Sequence, residues 1–247
     1  MPPAATPPAD RAPILRFIAP RDIFLFIRSA RSDAKLGKFL DAGAEPAAAF
    51  DRLYGEAPQN DPWASASPVY RYQSGKYDGI VALLPKGRRF RSALDLGCGT
   101  GLLASRLAHH SDATLGLDIS EVAVTQARTR TPQPGLSYSQ ADLLQLDPAL
   151  DRQFDLVVVA DALYYLPPGA LTDTALKTLA TRLAGLLAPD GILMLANHYF
   201  SGLDADSRKS RRIHDAFTWS PALTHSATHR RPFWLATLLS KANCQTD

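Results

Sequence analysis

The chain has 247 residues, 46% of them hydrophobic and 21% charged, enough to bury a full core. That excludes an intrinsically disordered or collagen-like chain and points to one catalytic-sized domain. The formal net charge of +3 is too small to demand a nucleic acid or an anionic membrane as partner.

Five prolines among the first 13 residues predict a disordered tail over 1–20, with no apolar run behind a basic start that would make it a secretory signal. The next segment, 21–76, reads as a helical arm or lid. Phe24, Ile27, Leu36 and Phe39 recur there among basic residues, so the arm either packs on the main domain or offers a basic amphipathic surface to a partner or lipid. Residues 61–85 begin in a turn and become helical from about Gln73, with Tyr77, Ile80, Val81 and Leu84 on one face, until Pro85 ends the helix. Trp63, Tyr70 and Tyr72, ahead of it, either fold over a ligand or pack the arm. Apolar stretches are interrupted by Pro20, Arg21, Asp22 and Asp161, well short of a membrane span.

From about residue 77 to 241 short apolar runs alternate with helical stretches, the pattern of an α/β domain whose parallel sheet carries helices on both faces. Strands are predicted over 92–96, 114–118, 136–140, 154–160 and 192–197, with a terminal strand over 233–239. A helix is predicted over 172–187, where Leu176, Leu179, Leu183, Leu186 and Leu187 form one apolar stripe.

The first strand runs into Asp95-Leu96-Gly97-Cys98-Gly99-Thr100-Gly101 and then a helix over 102–109. Such a glycine loop lets backbone approach a ligand closely, and the helix start offers free N–H groups to an anionic or polar group. The spacing G-x-G-x-G is not the dinucleotide pattern G-x-G-x-x-G, and no Gly-Lys-Ser or Gly-Lys-Thr follows to make a phosphate loop. Asp118, at the second strand end, can accept from two ribose hydroxyls. Asp142 and Asp161 follow the third and fourth strands. Four acids, Asp95 included, therefore gather at the carboxyl edge of one sheet, where open parallel sheets bind ligands. Asp95 either touches the ligand or braces the loop. Asp155 reads as an exposed acid at a strand start.

LDLGCGTG, LGLDIS, ADL and LLAPDGILML together resemble the motifs of class I S-adenosylmethionine-dependent methyltransferases over about 77–197. The resemblance implies a Rossmann-like three-layer α/β/α fold with a mostly parallel seven-stranded sheet and an antiparallel last strand. It implies S-adenosylmethionine as cofactor. Gly97, Gly99 and Gly101, with Cys98 and Asp95 in the same loop, would line methionine and ribose. Asp118 would hold the ribose hydroxyls, Ile119 would pack on adenine, and Asp142 with Leu143 would meet the adenine amino group. VVVADALYYL, HRRPFWLATLL and DPW near Asp61 are similar to the nodulation protein S family, whose members N-methylate the free amine of a deacetylated chitooligosaccharide. The chain departs from that family by a longer N-terminal arm and by Asp161 where Glu is expected.

An amine must be neutral to attack, so a carboxylate or imidazole beside it has to take a proton. Asp161 and His198 are the candidates. The more conservative role for Asp161 is to bind the ammonium of the cofactor, and for His198 to be a hydrogen-bonded turn residue. Tyr164 and Tyr165 can face a sulfonium or a sugar. Charge is unevenly spread: 1–92 carry 14 basic and 9 acidic residues, 93–200 carry 6 and 11, and 201–247 carry 7 and 4. An acidic centre suits a cationic or polyhydroxyl ligand. Arg208, Lys209, Arg211 and Arg212 read as a solvated helix face. His225 and His229 lack a third ligand and Cys98 lies far from Cys244, so neither a metal nor a disulfide is expected. The expected partner is a small-molecule or oligosaccharide acceptor, with no nucleic acid and no membrane, for a cytoplasmic monomer or homodimer. Methylation of a hydroxyl or carboxylate, or cofactor binding without turnover, are the alternatives.

Overall fold

The computed structural model describes residues 22–68 and 71–242. The proline-rich tail, Tyr70 and Cys244 lie outside them. Seven strands form one sheet: β1 (Phe90–Leu96), β2 (Ser111–Asp118), β3 (Leu136–Gln140), β4 (Phe154–Ala160), β5 (Leu187–His198), β6 (Leu223–Arg231) and β7 (Trp234–Lys241). Their spatial order is β3-β2-β1-β4-β5-β7-β6. The pairs from β3 to β5 are parallel, and β7 runs antiparallel to both β5 and β6. The order reverses on either side of β1, which opens a crevice beyond its carboxyl end.

β4, FDLVVVA, is β-branched and buried on both faces, as a central parallel strand requires. Its alternate residues feed two cores. Val157 and Val159 pack with α6 (Asp173–Leu186) and α7 (Ala205–Thr218), through Leu176, Leu183, Ile213 and Phe217. Leu156 and Val158 pack on the other face with Ile80 of α3 (Arg71–Val81) and with Leu103 and Leu107 of α4 (Leu102–Leu107). The remaining helices are α1 (Asp22–Asp41) and α2 (Pro46–Glu56) in the arm, and α5 (Glu121–Arg130), whose start is capped by the Ser120 hydroxyl accepting from the Ala123 N–H at 3.1 Å. No helix among the described residues is long and apolar enough to cross a membrane.

Several boundaries differ from the sequence reading. β1 starts at Phe90, and β5 starts at Leu187, which pairs with Phe154 ahead of a bulge where Asp190 takes φ of +60° and pairing resumes at Ile192 with Leu156. β6, LTHSATHRR, is a strand that no pattern marked, and it contains both His225 and His229. α3 runs across the expected border between residues 76 and 77, so the arm enters the domain without a break. Asp155 is buried, not exposed: it accepts from the Arg91 N–H at 2.8 Å and pairs with its guanidinium.

His214 of α7 is buried between helix and sheet. Its Nδ1 lies 2.7 Å from the Thr237 hydroxyl, and its Nε2 has no partner. Burial, with the Lys76 charge second, pushes its pKa down to about 3. A folded pKa below the unfolded value favours the neutral form, so the contribution is intact above 6.5 and is lost as pH falls toward 3. Thermal unfolding at pH 7.0, 5.5 and 4.5, conditions spaced on the order of one pH unit, should show a decline of up to about 1.4 kcal/mol per unit from this group. The His214→Gln protein should give a flatter curve.

Candidate active site

Gly97, Gly99 and Gly101 hold φ of +76°, +52° and +82°, the left-handed region that a side chain disfavours. The N–H groups of Gly97 and Cys98 both donate to the Leu117 carbonyl at 2.8 and 3.0 Å, that of Gly99 to Asp118 Oδ2 at 2.8 Å, and that of Gly101 to the Cys98 carbonyl at 3.0 Å. These four N–H groups of the loop are therefore used inside the fold, and α4, at whose start free N–H groups were expected, is only six residues long. What the loop offers a ligand is bare main chain. Close packing also demands it: a Cβ built on Gly97 would lie 2.4 Å from the Ala162 Cβ.

The crevice at the strand ends is a cavity of about 370 Å³, within the roughly 300–1,000 Å³ usual for small-molecule sites. At one end it is lined by Gly97, Cys98, Gly99, Asp118, Ile119, Asp142 and Leu143. Asp118 is buried, and its Oδ1 accepts from the Ser120 N–H at 3.0 Å. Burial raises its pKa, against the N–H bonds from Ser120 and Gly99. Asp142 caps a short turn, accepting from the Leu144 N–H at 2.8 Å. Ile119 and Leu143 present apolar surface between the two acids. Two expected members are absent from the wall. Asp95 is 1% exposed and sits behind the loop, with Oδ2 unpartnered and a pKa pushed up to about 7 by burial and then by Asp118. Gly101 is buried against the Tyr138 and Thr131 hydroxyls. Both lie behind the loop, Asp95 through the inward face of β1 and Gly101 through its packing on the two hydroxyls.

The other end is built around a residue that motif reading missed. Lys76, on α3, is 2% exposed and forms an ion pair with Asp161 Oδ2. Asp161 Oδ1 accepts from the His198 N–H at 2.9 Å, and its own N–H donates to the Ala196 carbonyl at 2.8 Å. Asp161 itself holds φ of +54°, a strained conformation that aspartate tolerates better than most residues. Each Asp161 oxygen thus has one partner, and the residue ties α3 to the end of β5. His198 lines the cavity, and its pKa is lowered by burial first and by Lys76 second. Lys76 had a sequence signal: Tyr72, Lys76 and Ile80 are spaced four apart, so the lysine falls on the buried stripe of α3.

The arm roofs this end. Tyr165 is edge-on to Phe50 at 5.8 Å between ring centroids and lies 5.7 Å from Trp63, while Tyr164 is 4.3 Å from Tyr165. Asp33 of α1 fastens the roof by accepting from Trp63 Nε1 at 2.8 Å and from the Tyr165 hydroxyl at 2.7 Å. Trp63 and Tyr72, read as lid or packing, both line the cavity. Burial holds the Tyr164 and Tyr165 hydroxyls well above their ordinary pKa, so both stay protonated. Asp61 ties the arm together: its carboxylate accepts from the Ser65 and Ala66 N–H groups at 2.9 and 2.7 Å. Asp33 and Asp206 stand at the exposed rim, and among the described residues neither forms an ion pair. The basic residues of α7 face outward, with Arg212 bound to Asp173.

Comparison with known proteins gives a consistent picture. Residues 45–199 match the family model described as Nodulation protein S (NodS). Nodulation protein S of Sinorhizobium fredii is 26% identical over 67% of this chain and 72% of its own length. That of Rhizobium tropici is 28% identical over 71% of this chain and 69% of its own. The crystal structure of N-methyltransferase NodS from Bradyrhizobium japonicum WM9, in complex with S-adenosyl-L-homocysteine, superposes with a TM-score of 0.64 at 22% identity, covering 80% of this chain and 98% of that one.

Proposed function

The chain belongs to the nodulation protein S family and is an S-adenosylmethionine-dependent methyltransferase, and on that premise we propose that it methylates an amine of an amino sugar, an oligosaccharide or another small molecule. The observation that carries the reading is the composition of the roofed end: an imidazole held below its ordinary pKa, two rim carboxylates that form no ion pair among the described residues, and aromatic rings. Negative charge with π-faces attracts an ammonium.

The residues at the opposite end fit the cofactor. Asp118 keeps lone pairs for two ribose hydroxyls after accepting from Gly99 and Ser120. Ile119 and Leu143 suit the two faces of a flat adenine, and Asp142 its amino group. The bare loop at Gly97, Cys98 and Gly99 admits the amino-acid portion without a side chain in the way. When bound, S-adenosylmethionine supplies an electrophilic methyl group on a sulfonium.

Chain residues supply the rest. The carboxylates of Asp33 and Asp206 draw the protonated acceptor to the mouth. His198, neutral near pH 7, takes a proton from it at a ring nitrogen and leaves a lone pair free to attack. Tyr164, Tyr165 and Trp63 exclude water and stack on a sugar or flank a cation. Positioning of this kind supplies most of the acceleration expected for such a transfer. The test is transfer of labelled methyl to glucosamine oligomers and to their N-acetylated counterparts. Label on the free amines alone is expected. Equal label on both would assign the transfer to oxygen and overturn the amine reading.

A further inference from the structure

Lys76 stands outside the glycine loop, outside the acids at the strand tips, and on a helix that the sequence assigned to core packing. Its side chain is 1% exposed, and a buried ammonium needs a counter-charge to be tolerated. Asp161 provides it with one oxygen, while the other oxygen takes the main-chain N–H of His198 at 2.9 Å. The carbonyl of His198 accepts from the Ser210 hydroxyl of α7 at 2.7 Å. The main chain at His198 is thus clamped between the end of β4 and α7, and the clamp begins at Lys76.

We propose that Lys76, through its ion pair with Asp161, is a positioning residue that fixes the main chain of His198 at the acceptor end of the cavity and sets the charge its imidazole faces. The inference rests on the proposed proton-accepting role of His198, but its geometry does not. Charge supports it. Facing His198 are Lys76 from α3, Asp161 from the β4 end, and Asp204 and Asp206 from the start of α7. The three carboxylates favour the imidazolium, and Lys76 opposes them. The same lysine lowers the pKa of His214 across α7. Without that cation only burial would oppose the acids, and the His198 imidazole would hold its proton to a higher pH. A neutral methionine of similar length removes the charge and keeps the volume, whereas arginine keeps the charge.

The test needs no acceptor. In the full chain, the His198 imidazole resonance is assigned by its loss in His198→Gln and followed by NMR as pH is varied, in the unsubstituted protein, Lys76→Met and Lys76→Arg. The expected midpoint lies below 6.5 in the unsubstituted protein, moves up in Lys76→Met and returns toward the low value in Lys76→Arg. An unsubstituted midpoint at or above 6.5 overturns the proposal with no variant at all, as does a Lys76→Met midpoint that does not move. Should Lys76→Met fail to fold, Lys76→Gln takes its place with the same expected rise. Failure of labelled transfer to amines, with these midpoints as expected, would remove the acceptor assignment and leave the positioning role standing.

Discussion

Exchanging His198 for glutamine should reduce methyl transfer to a free amine by about 100- to 10,000-fold, the range for a lost general base. Affinity for S-adenosylhomocysteine should be nearly unchanged. The two effects separate because the bonds that tie His198 to Asp161 and α7 are main-chain: its N–H donates to Asp161, and its carbonyl accepts from Ser210. Glutamine preserves both bonds, fills similar space and removes only the titrating ring. Asp161 is expected to be a weak substitute base, since its negative charge is already paired with the buried Lys76 ammonium. The deficit should shrink as pH rises, because a larger fraction of the amine then arrives already neutral. A variant that turns over as fast as the parent at pH 7 would take His198 out of the proton step.

Gly97→Ala should lower stability by about 2–5 kcal/mol and abolish cofactor binding in whatever fraction stays folded. Two costs combine. Alanine at φ of +76° is worth roughly 1–2 kcal/mol of backbone strain. The new methyl would lie 2.4 Å from the Ala162 Cβ, and overpacking of that order costs about 1–3 kcal/mol. Ala162 adjoins Asp161, so relief by moving that segment would disturb the ion pair with Lys76. Gly185→Ala, where an added Cβ meets nothing nearer than the Arg182 guanidinium at 3.7 Å, is the control, and urea unfolding of the two variants gives the comparison. Equal stability would mean that the loop and the β4 end are not packed as described.

The sequence resolved the parts of the molecule whose signals are local. β3 and β4 have their expected bounds, because each is an uninterrupted strand pattern between turn residues. The loop and the acids Asp118, Asp142 and Asp161 were legible because glycine spacing and strand ends occur within a few residues of each other. Features set at long range were not. β6 has a single buried residue and no apolar face, since it lies at the sheet edge beside β7, so LTHSATHRR carries no period. Asp95 looks like a ligand-binding acid by spacing, yet the inward direction of its side chain depends on how the strand packs. The partner of Lys76 is 85 residues away, and Asp33 meets Tyr165 across 132 residues. Only the four-residue stripe on α3 hinted that a lysine was buried.

The central claim is that a sulfonium nucleoside binds across the tips of β1, β2 and β4, with Asp118 reading its ribose. Calorimetric titration of the full chain with S-adenosylhomocysteine tests it most directly. The account predicts one site per chain, with binding weakened in Asp118→Ala by about 1.5–3 kcal/mol, the worth of a hydrogen bond to a charged group, which is on the order of 10- to 150-fold. Absence of heat in the parent protein together with an unshifted melting temperature, or an Asp118→Ala protein that binds as tightly as the parent, would contradict it.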